Sequence, residues 1–487
     1  MVISYMIILP ILVLICGIVC ISLISSVRYI YIKKLALFIT IAVFYLSLLF
    51  WIFYVKQSLF FQFMFYREWL VFMNIDIIFG LDGISIFFII LTTFLFPICV
   101  LSSWKIILVN VKEFFLLLLF LESFLLFIFS TLDLILFYIF FESVLIPMFL
   151  IIGIWGSREC KIKASYYFFM YTLLGSLVAL IGILIIFFET GTTNFFILLT
   201  HKFSFERQLL LWIMLFISFA VKFPIVPFHI WLPEAHVEAP TVGSIILAGV
   251  LLKLGIYGML RFSISLFPQA SSYFTPFVYT ICIISILYSS LTTIRQVDLK
   301  RIIAYSSVSH MNFGLLGLFS GTLHGIIGGL VLSISHGFVT SGLFICIGVL
   351  YDRYHTRLLK YYSGIVLVMP VFSVLFLFFS LSNLGMPGTS SFVGELLILI
   401  GTFSQNSISA IFGSSGILLG TLYSIWLYNR VCFGNLKIQD NVLVYLDISK
   451  RECFCIFPLV GLVLLLGLNS NLFLDYLQSA GYMLLFE

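Results

Sequence analysis

The sequence predicts an all-α, polytopic membrane protein of about fourteen transmembrane helices, and three observations carry that reading. Of its 487 residues, 62% are hydrophobic and 9% charged, whereas a soluble domain carries about 25% charged residues. Apolar runs of about 20 residues, the length that crosses a bilayer, recur from end to end. Basic residues crowd into alternate loops. No soluble core could absorb so many apolar runs, so a soluble enzyme is excluded.

Taken in order, the spans begin near residues 3, 34, 81, 113, 132, 165, 208, 242, 273, 301, 322, 365, 408 and 453. The first, roughly 3–25, follows no basic stretch and precedes no small-residue cleavage pattern. It reads as a permanent helix and not as a signal peptide, and no Arg-rich transit peptide leads it. Only residues 131–133 separate the fourth span from the fifth. The longest polar loops fall at about 56–80, 190–207 and 431–452, and the whole chain, 1–487, is one membrane domain. The 56 Phe and 24 Tyr, both specified by AT-rich codons, point toward an organellar genome.

Charge asymmetry tests the count. Loops after odd-numbered spans hold 18 basic residues: Arg28, Lys33, Lys34, Lys105, Lys112, Arg158, Lys161, Lys163, Arg295, Lys300, Arg301, Arg353, Arg357, Lys360, Arg430, Lys437, Lys450 and Arg451. Loops after even-numbered spans hold 5: Lys56, Arg67, Lys202, Arg207 and Arg261. A wrong count would scramble this bias, which puts both termini on the side away from the cytoplasm or matrix.

The two remaining basic residues, Lys222 and Lys253, lie inside spans. An ionisable group at bilayer depth costs roughly 2.5–3.5 kcal/mol on insertion scales and is a functional candidate by default. The set here is Glu122, Asp133, Glu142, Lys222, His229, Lys253, His310, His324, His336 and Glu395. Each has a bland alternative. Glu122 and Asp133 can sit near helix ends, where capping or snorkelling suffices; His324 is close to the start of its span; a lone buried His336 can simply bridge two helices. Glu142, Lys222, Lys253 and Glu395 stand deep in apolar sequence with no loop in reach.

Two spans carry helix-breaking sequence. The seventh reads FAVKFPIVPFH over 219–229, and the twelfth reads LGMPGTSSFVGE over 384–395. Proline removes a backbone donor and clashes with the preceding turn, and in hydrocarbon such breaks survive only inside protein or beside a water-filled cavity. Each break carries an ionisable residue, Lys222 or Glu395. They are five spans apart, and an odd offset reverses orientation. Spans four to eight (113–264) and nine to thirteen (273–432) are therefore expected to form an inverted repeat, the layout of a transport site. Residue-level similarity between the halves is poor, so this expectation rests on layout.

These residue types suit protons. If Glu142 lies about 6 Å from Lys222 at an effective dielectric of about 20, Coulomb's law gives roughly 3 kcal/mol. A membrane potential contributes about 2.3 kcal/mol per charge per 100 mV. The two are comparable, so a pair that opens and closes could drive a proton against a gradient. The nine cysteines lack the company that zinc or an iron–sulfur cluster requires, including Cys16 with Cys20 and Cys453 with Cys455, and read as small buried hydrophobes.

At the same residues the chain resembles a known family. FYIFFE over 137–142 and its continuation to Gly156, the stretch 220–261 with WLPEAHVEAPTVGSIILAGVLLKLGIYGMLRF, RIIAYSSVSHMNFG, SHGFVTSGLFICIGVLYDRYHTR and GMPGTSSFVGE are similar to the antiporter-like membrane subunits of respiratory complex I, of the subunit 4 type. The resemblance is weakest in about the first 75 and last 60 residues. It implies fourteen helices, a five-helix inverted repeat and a hydrophilic axis through the membrane. By position, Glu142 would be the acid that tunes Lys222, and Lys222 the proton-holding amine. Lys253 and His310, with His336 nearby, would link two half-channels, and Glu395 would be the terminal group. His229, Glu122 and Asp133 are further relay candidates. One departure stands out: bacterial relatives carry a Lys where this chain has Tyr167, which leaves Glu142 one fewer basic partner.

The resemblance further implies that NADH, FMN, iron–sulfur clusters and ubiquinone belong to partner subunits. The chain itself would hold no redox centre and no metal, its partners being neighbouring membrane-arm subunits and lipids, with no nucleic acid. The expected location is the mitochondrial inner membrane with both termini toward the intermembrane space, or alternatively a bacterial plasma membrane. A subunit of a multisubunit sodium/proton antiporter is the first rival reading, and a non-conducting scaffold the second.

Overall fold

A computed structural model of the chain describes residues 6–56, 58, 60–436 and 446–486, without the side chains of 483–486. Lys437 and the first residues expected in span one lie outside them. The chain is mostly helical. In order it runs α1 (Ile8–Leu23), α2 (Tyr29–Phe53), β1 (Gln62–Leu70), β2 (Ile75–Leu81), α3 (Gly83–Ser103), α4 (Val111–Ser130) and α5 (Leu134–Trp155). Next come α6 (Lys161–Thr190), α7 (Phe195–Thr200), α8 (Phe205–Lys222), α9 (Trp231–Glu238), α10 (Thr241–Ile264) and α11 (Pro268–Arg295). The remainder is α12 (Leu299–Leu318), α13 (Leu323–Tyr354), α14 (Pro370–Asn383), α15 (Ser390–Gln405), α16 (Ser407–Cys432), α17 (Lys450–Leu468) and α18 (Asn471–Phe486). Each expected span has its helix, the seventh and twelfth being split into α8/α9 and α14/α15. The fourth and fifth are separate helices.

Two features depart from the expectation. The stretch taken as the loop 56–80 is largely an antiparallel hairpin, β1 against β2, with Asn74 in the left-handed region (φ 49°) at its turn. The segment is too short and too aromatic to give a clear period-2 signal. A further helix, α18, follows the fourteenth span and packs Tyr476 against Phe87 and Trp51.

Burial orders the helices. The described windows of α10 and α13 are wholly buried, while those of α2, α16 and α17 are one-third buried. α13 has 32 residues, about 48 Å at 1.5 Å per residue, more than the ~30 Å hydrocarbon core. Small residues let its neighbour approach closely: a Cβ on Gly328 would meet the backbone of Gly394 and Ile398. This contact sets α15 against α13 and fixes where Glu395 sits.

Several charges expected in loops are buried instead. Lys33 donates to Trp104 O (2.6 Å) and Ile107 O (3.2 Å), the carbonyls just past the end of α3. Arg261 pairs with Asp82 at 2.6 Å, its guanidinium 4.8 Å from the Phe61 ring and 5.3 Å from Tyr257. Asp82 also forms a capping box with Ser85 at the start of α3. The pair therefore ties the end of α10 to the start of α3. Each cation ends where a helix terminus or a carboxylate satisfies it, which hydropathy along one strand of sequence cannot register. Among the cysteines, Cys99, Cys282, Cys346, Cys432 and Cys455 are buried, but Cys16, Cys20 and Cys160 are exposed on the chain's surface.

Candidate proton-relay site

The break between α8 and α9 is held open by side chains. α8 stops at Lys222, and the bonds that Pro224 and Pro227 cannot make are replaced locally. Trp231 Nε1 donates to Val221 O (2.9 Å), the Val226 N–H donates to Ser285 Oγ (3.1 Å), and Asn312 Nδ2 lies 3.4 Å from Pro224 O. Ser285 comes from α11 and Asn312 from α12, so both halves of the chain stabilise the break.

Lys222, 5% exposed, donates to Phe141 O at 2.8 Å and lies 3.3 Å from the centroid of the Phe141 ring. Its acceptor belongs to α5, which is interrupted at Val144 just ahead of Pro147. Glu142 is next to that carbonyl, half-buried, with Oε1 enclosed and unpartnered among the described residues. It is within electrostatic reach of Lys222 without a salt bridge. The two thus interact by charge across a gap, and Lys222 is held by a carbonyl and an aromatic face. Tyr167, 38% exposed, turns outward with Lys163 over its ring.

The second cluster spans four helices. Lys253 is fully buried on α10, and its Nζ lies 3.0 Å from His336 Nδ1 on α13 while also bonding Ala248 O. Ala248 belongs to a π-helical stretch over 247–251, a widened turn frequent at functional sites. The His336 and His310 rings are 6.1 Å apart, and His310 Nδ1 stands 3.7 Å from Glu395 Oε1. Tyr423 Oη on α16 is 3.4 Å from His310 Nε2. A cavity of about 10 Å³ opens beside His310 and Glu395, close to the smallest volume that admits a water.

Local chemistry explains the position of Glu395. Gly385 (φ 73°) and Gly388 (φ 94°) turn the chain between α14 and α15 in the left-handed region. A Cβ at Gly385 would collide with the Glu395 carboxylate. Ser391 Oγ donates to Ser382 O, and Thr389 Oγ1 to Met386 O (2.7 Å), closing the break.

The other candidates divide. His229 is buried at the first break, its ring 5.3 Å from that of Tyr288, and Nδ1 unpartnered among the described residues. Asp133 caps α5, accepting from Ile135 N and Leu136 N (3.0 Å each) and from Thr193 Oγ1 (2.6 Å). This is the bland alternative, realised. Glu122 is not near a helix end: it sits inside α4, fully buried, with both oxygens unpartnered among the described residues and Cys99 of α3 as an electrostatic neighbour. His324 is exposed.

Sequence reading missed His236. It is fully buried on α9, stacked on Phe344 (4.9 Å, 7°), with both ring nitrogens unpartnered among the described residues, and lies within electrostatic reach of Lys253 and Lys300. Flanked by Pro233 and Pro240 it resembles loop, and the signal was its place in the second half of a broken span. The carbonyls ending α9 are bound by donors from other elements. Arg357 donates to Val237 O, the Ser157 N–H to Glu238 O (3.0 Å), and Lys300 to Ala239 O (2.7 Å) and Ser244 Oγ (3.1 Å). Lys300 and Arg357, expected in loops, are 0% and 2% exposed because they neutralise this helix end.

The chain is similar to known proteins over most of its length. Residues 131–430 match the family described as NADH:quinone oxidoreductase/Mrp antiporter, transmembrane. The chain is 53% identical over 477 residues to a Marchantia polymorpha protein named NADH-ubiquinone oxidoreductase chain 4, covering 98% of this chain and 95% of that one. In a solved structure of respiratory complex I from Thermus thermophilus, a chain 27% identical superposes with a TM-score of 0.88 over 99% of both chains. A chain of the Mrp complex from Dietzia sp. DQ12-45-1b, 20% identical, shares the fold with a TM-score of 0.89, over 100% of this chain and 98% of that one.

Proposed function

The chain belongs to the NADH:quinone oxidoreductase/Mrp antiporter transmembrane family, and on that premise we propose that it is the proton-translocating, chain 4-type membrane-arm subunit of an NADH:ubiquinone oxidoreductase. The observation that carries this is the row Lys253–His336–His310–Glu395 across four helices, with Lys222 and Glu142 at the other break. Every member can gain and lose a proton, and all are enclosed by apolar helices where charge is expensive. The antiporter rival shares the fold at 20% identity, against 53% to the chain 4 relative over nearly the whole chain.

In this reading Glu142 sets the charge balance at Lys222, which holds a proton on the first broken helix. Lys253, His336 and His310 conduct it sideways, and Glu395 exchanges it at the second. His229 and His236 join at the first break; Asp133 is assigned to capping, and Glu122 stands apart from the row. The two breaks support a five-helix inverted repeat over 113–264 and 273–432. NADH, FMN, iron–sulfur clusters and ubiquinone are assigned to partner subunits, and coupling arrives through neighbouring membrane-arm subunits as charge or conformation. The location is the mitochondrial inner membrane, termini toward the intermembrane space, consistent with the charge bias and with eukaryotic relatives such as that of Marchantia.

The test is Glu142→Ala in the assembled complex, reconstituted in vesicles. Proton pumping and coupled quinone reduction should fall at least about tenfold, and Glu142→Asp should retain part of both. Normal pumping by an assembled Glu142→Ala complex would remove this residue from the relay.

A further inference from the structure

The last turn of α16 borders a cavity away from the relay. It measures about 520 Å³, and its lining includes Tyr362, Ser363, Trp426, Asn429, Arg430 and Phe433. Clefts that hold small ligands run to about 300–1,000 Å³. α16 is the thirteenth span, so the loop after it is on the basic, cytoplasm- or matrix-facing side. Its 26 residues extend about 39 Å at 1.5 Å per residue, against ~30 Å for the hydrocarbon core. The last turn, with Arg430, therefore stands in the headgroup layer.

The walls are fixed. Trp426, Asn429, Arg430 and Phe433 recur at helical spacing and form one side. The other side is the segment 362–364. The Gly364 N–H donates to Phe433 O (3.1 Å), and Ser363 Oγ donates to Asn435 O. A Cβ on Gly364 would come 2.8 Å from Gly434 O, so the two segments approach as glycine alone permits. Tyr362 is buried against Tyr354, ring centroids 5.2 Å apart, and donates to Thr356 O (2.6 Å). The Phe433 ring rests 5.6 Å from that of Tyr428.

The polarity of the lining selects a ligand. It contains no carboxylate, and Arg430 carries its one formal charge. Arg430 is exposed and joins no ion pair among the described residues. The carbonyls that would repel an anion are engaged: Asn429 O accepts from the Phe433 N–H (3.1 Å), and Phe433 O and Asn435 O accept from the facing segment. One turn deeper, about 6 Å along the axis, Trp426 is exposed, followed by the exposed Ile425, Leu422 and Leu418. A cation in the headgroup layer, an aromatic collar beneath it and an apolar stripe below that repeat the order of a phospholipid.

We propose that this cavity binds an anionic phospholipid, its phosphate held by Arg430 and the Asn429 amide and an acyl chain laid along Trp426, Leu422 and Leu418. Basic pockets between membrane helices on this side attract anionic headgroups. A zwitterionic lipid is disfavoured because no acid in the lining balances a choline or ethanolamine cation beside Arg430. The site lies outside the proton relay and does not depend on it.

The experiment places the intact complex in nanodiscs containing phosphatidylglycerol or phosphatidylcholine, each with a photoreactive diazirine in its acyl chain. Crosslinked peptides are mapped by mass spectrometry, with assembly quantified. Phosphatidylglycerol should label the segment 418–433 at least about fivefold more than phosphatidylcholine, the ratio that ~1 kcal/mol for one basic residue produces. Arg430→Gln should abolish this preference, and Arg430→Lys should keep most of it. Equal labelling by the two lipids, or an unchanged preference in Arg430→Gln, overturns the site. No labelling by either lipid also overturns it, and would put a protein neighbour on this face. Should Arg430→Gln fail to assemble, unlabelled lipids compete with the phosphatidylglycerol probe on the wild-type complex. Displacement by phosphatidylglycerol alone then supports the site, and equal displacement by both overturns it. Pumping is not the readout, so failure of the relay reading would leave this result standing, and the reverse.

Discussion

Lys253 Nζ and His336 Nδ1 stand 3.0 Å apart on two helices whose described windows are buried from end to end. An amine and an imidazole at that distance disfavour two positive charges at once, and among the described residues neither has a carboxylate in salt-bridge contact. The nearest acid in the row is Glu395, beyond His310. On the proposed relay reading, a proton on Lys253 favours a neutral His336, and the reverse, so the pair would pass a proton and not store two.

His336→Ala should break this contact. Pumping and coupled quinone reduction should fall at least about tenfold with assembly retained, since proton-transfer groups commonly contribute 10²–10⁴-fold. Vesicle proton uptake normalised to assembled complex is the measurement. A structural bridge between helices would instead show as poor assembly with normal specific activity.

Lys222 separates a proton carrier from a fixed cation. Arg keeps its charge but does not deprotonate, whereas a buried Lys can. Lys222→Arg should abolish most pumping in a complex that still assembles, while a scaffold role expects it to be nearly silent. Lys222→Met, of similar length and less bulk, belongs in the same series. If both variants fail when assembled, neither lost charge nor added bulk alone accounts for the result. Wild-type pumping with Lys222→Arg would refute proton exchange at this position.

Gly385→Ala should cost roughly 1–3 kcal/mol for the left-handed backbone alone, and its methyl would also displace the Glu395 carboxylate. Thermal stability of the complex should drop, and pumping should drop with it. Gly388→Ala, also left-handed but with nothing within 4 Å of its Cβ, should lose stability with less effect on pumping. Equal pumping losses in the two variants would mean that backbone strain, and not the carboxylate's position, is responsible.

Much of this was legible along the chain. The spans, their alternating orientation, the two breaks and the deep placement of Lys222, Lys253 and Glu395 follow from apolar run length, loop charge and the missing N–H of proline. Each of these acts within a few residues, so the chain's order alone determines it. The tertiary structure decided what each buried group touches. Glu142 reaches Lys222 through space and not by a direct bond, and Asp133 turns out to be a cap. His236, Lys300 and Arg357 look like loop residues until α9 is folded back into the protein. Arg261 and Lys33 are buried because Asp82 and the carbonyls past the end of α3 happen to face them. Long side chains can snorkel to water or turn inward at similar local cost. The choice between those orientations depends on which helix supplies the partner, and that neighbour lies 71 positions away for Lys33 and 179 for Arg261, beyond the reach of any local pattern.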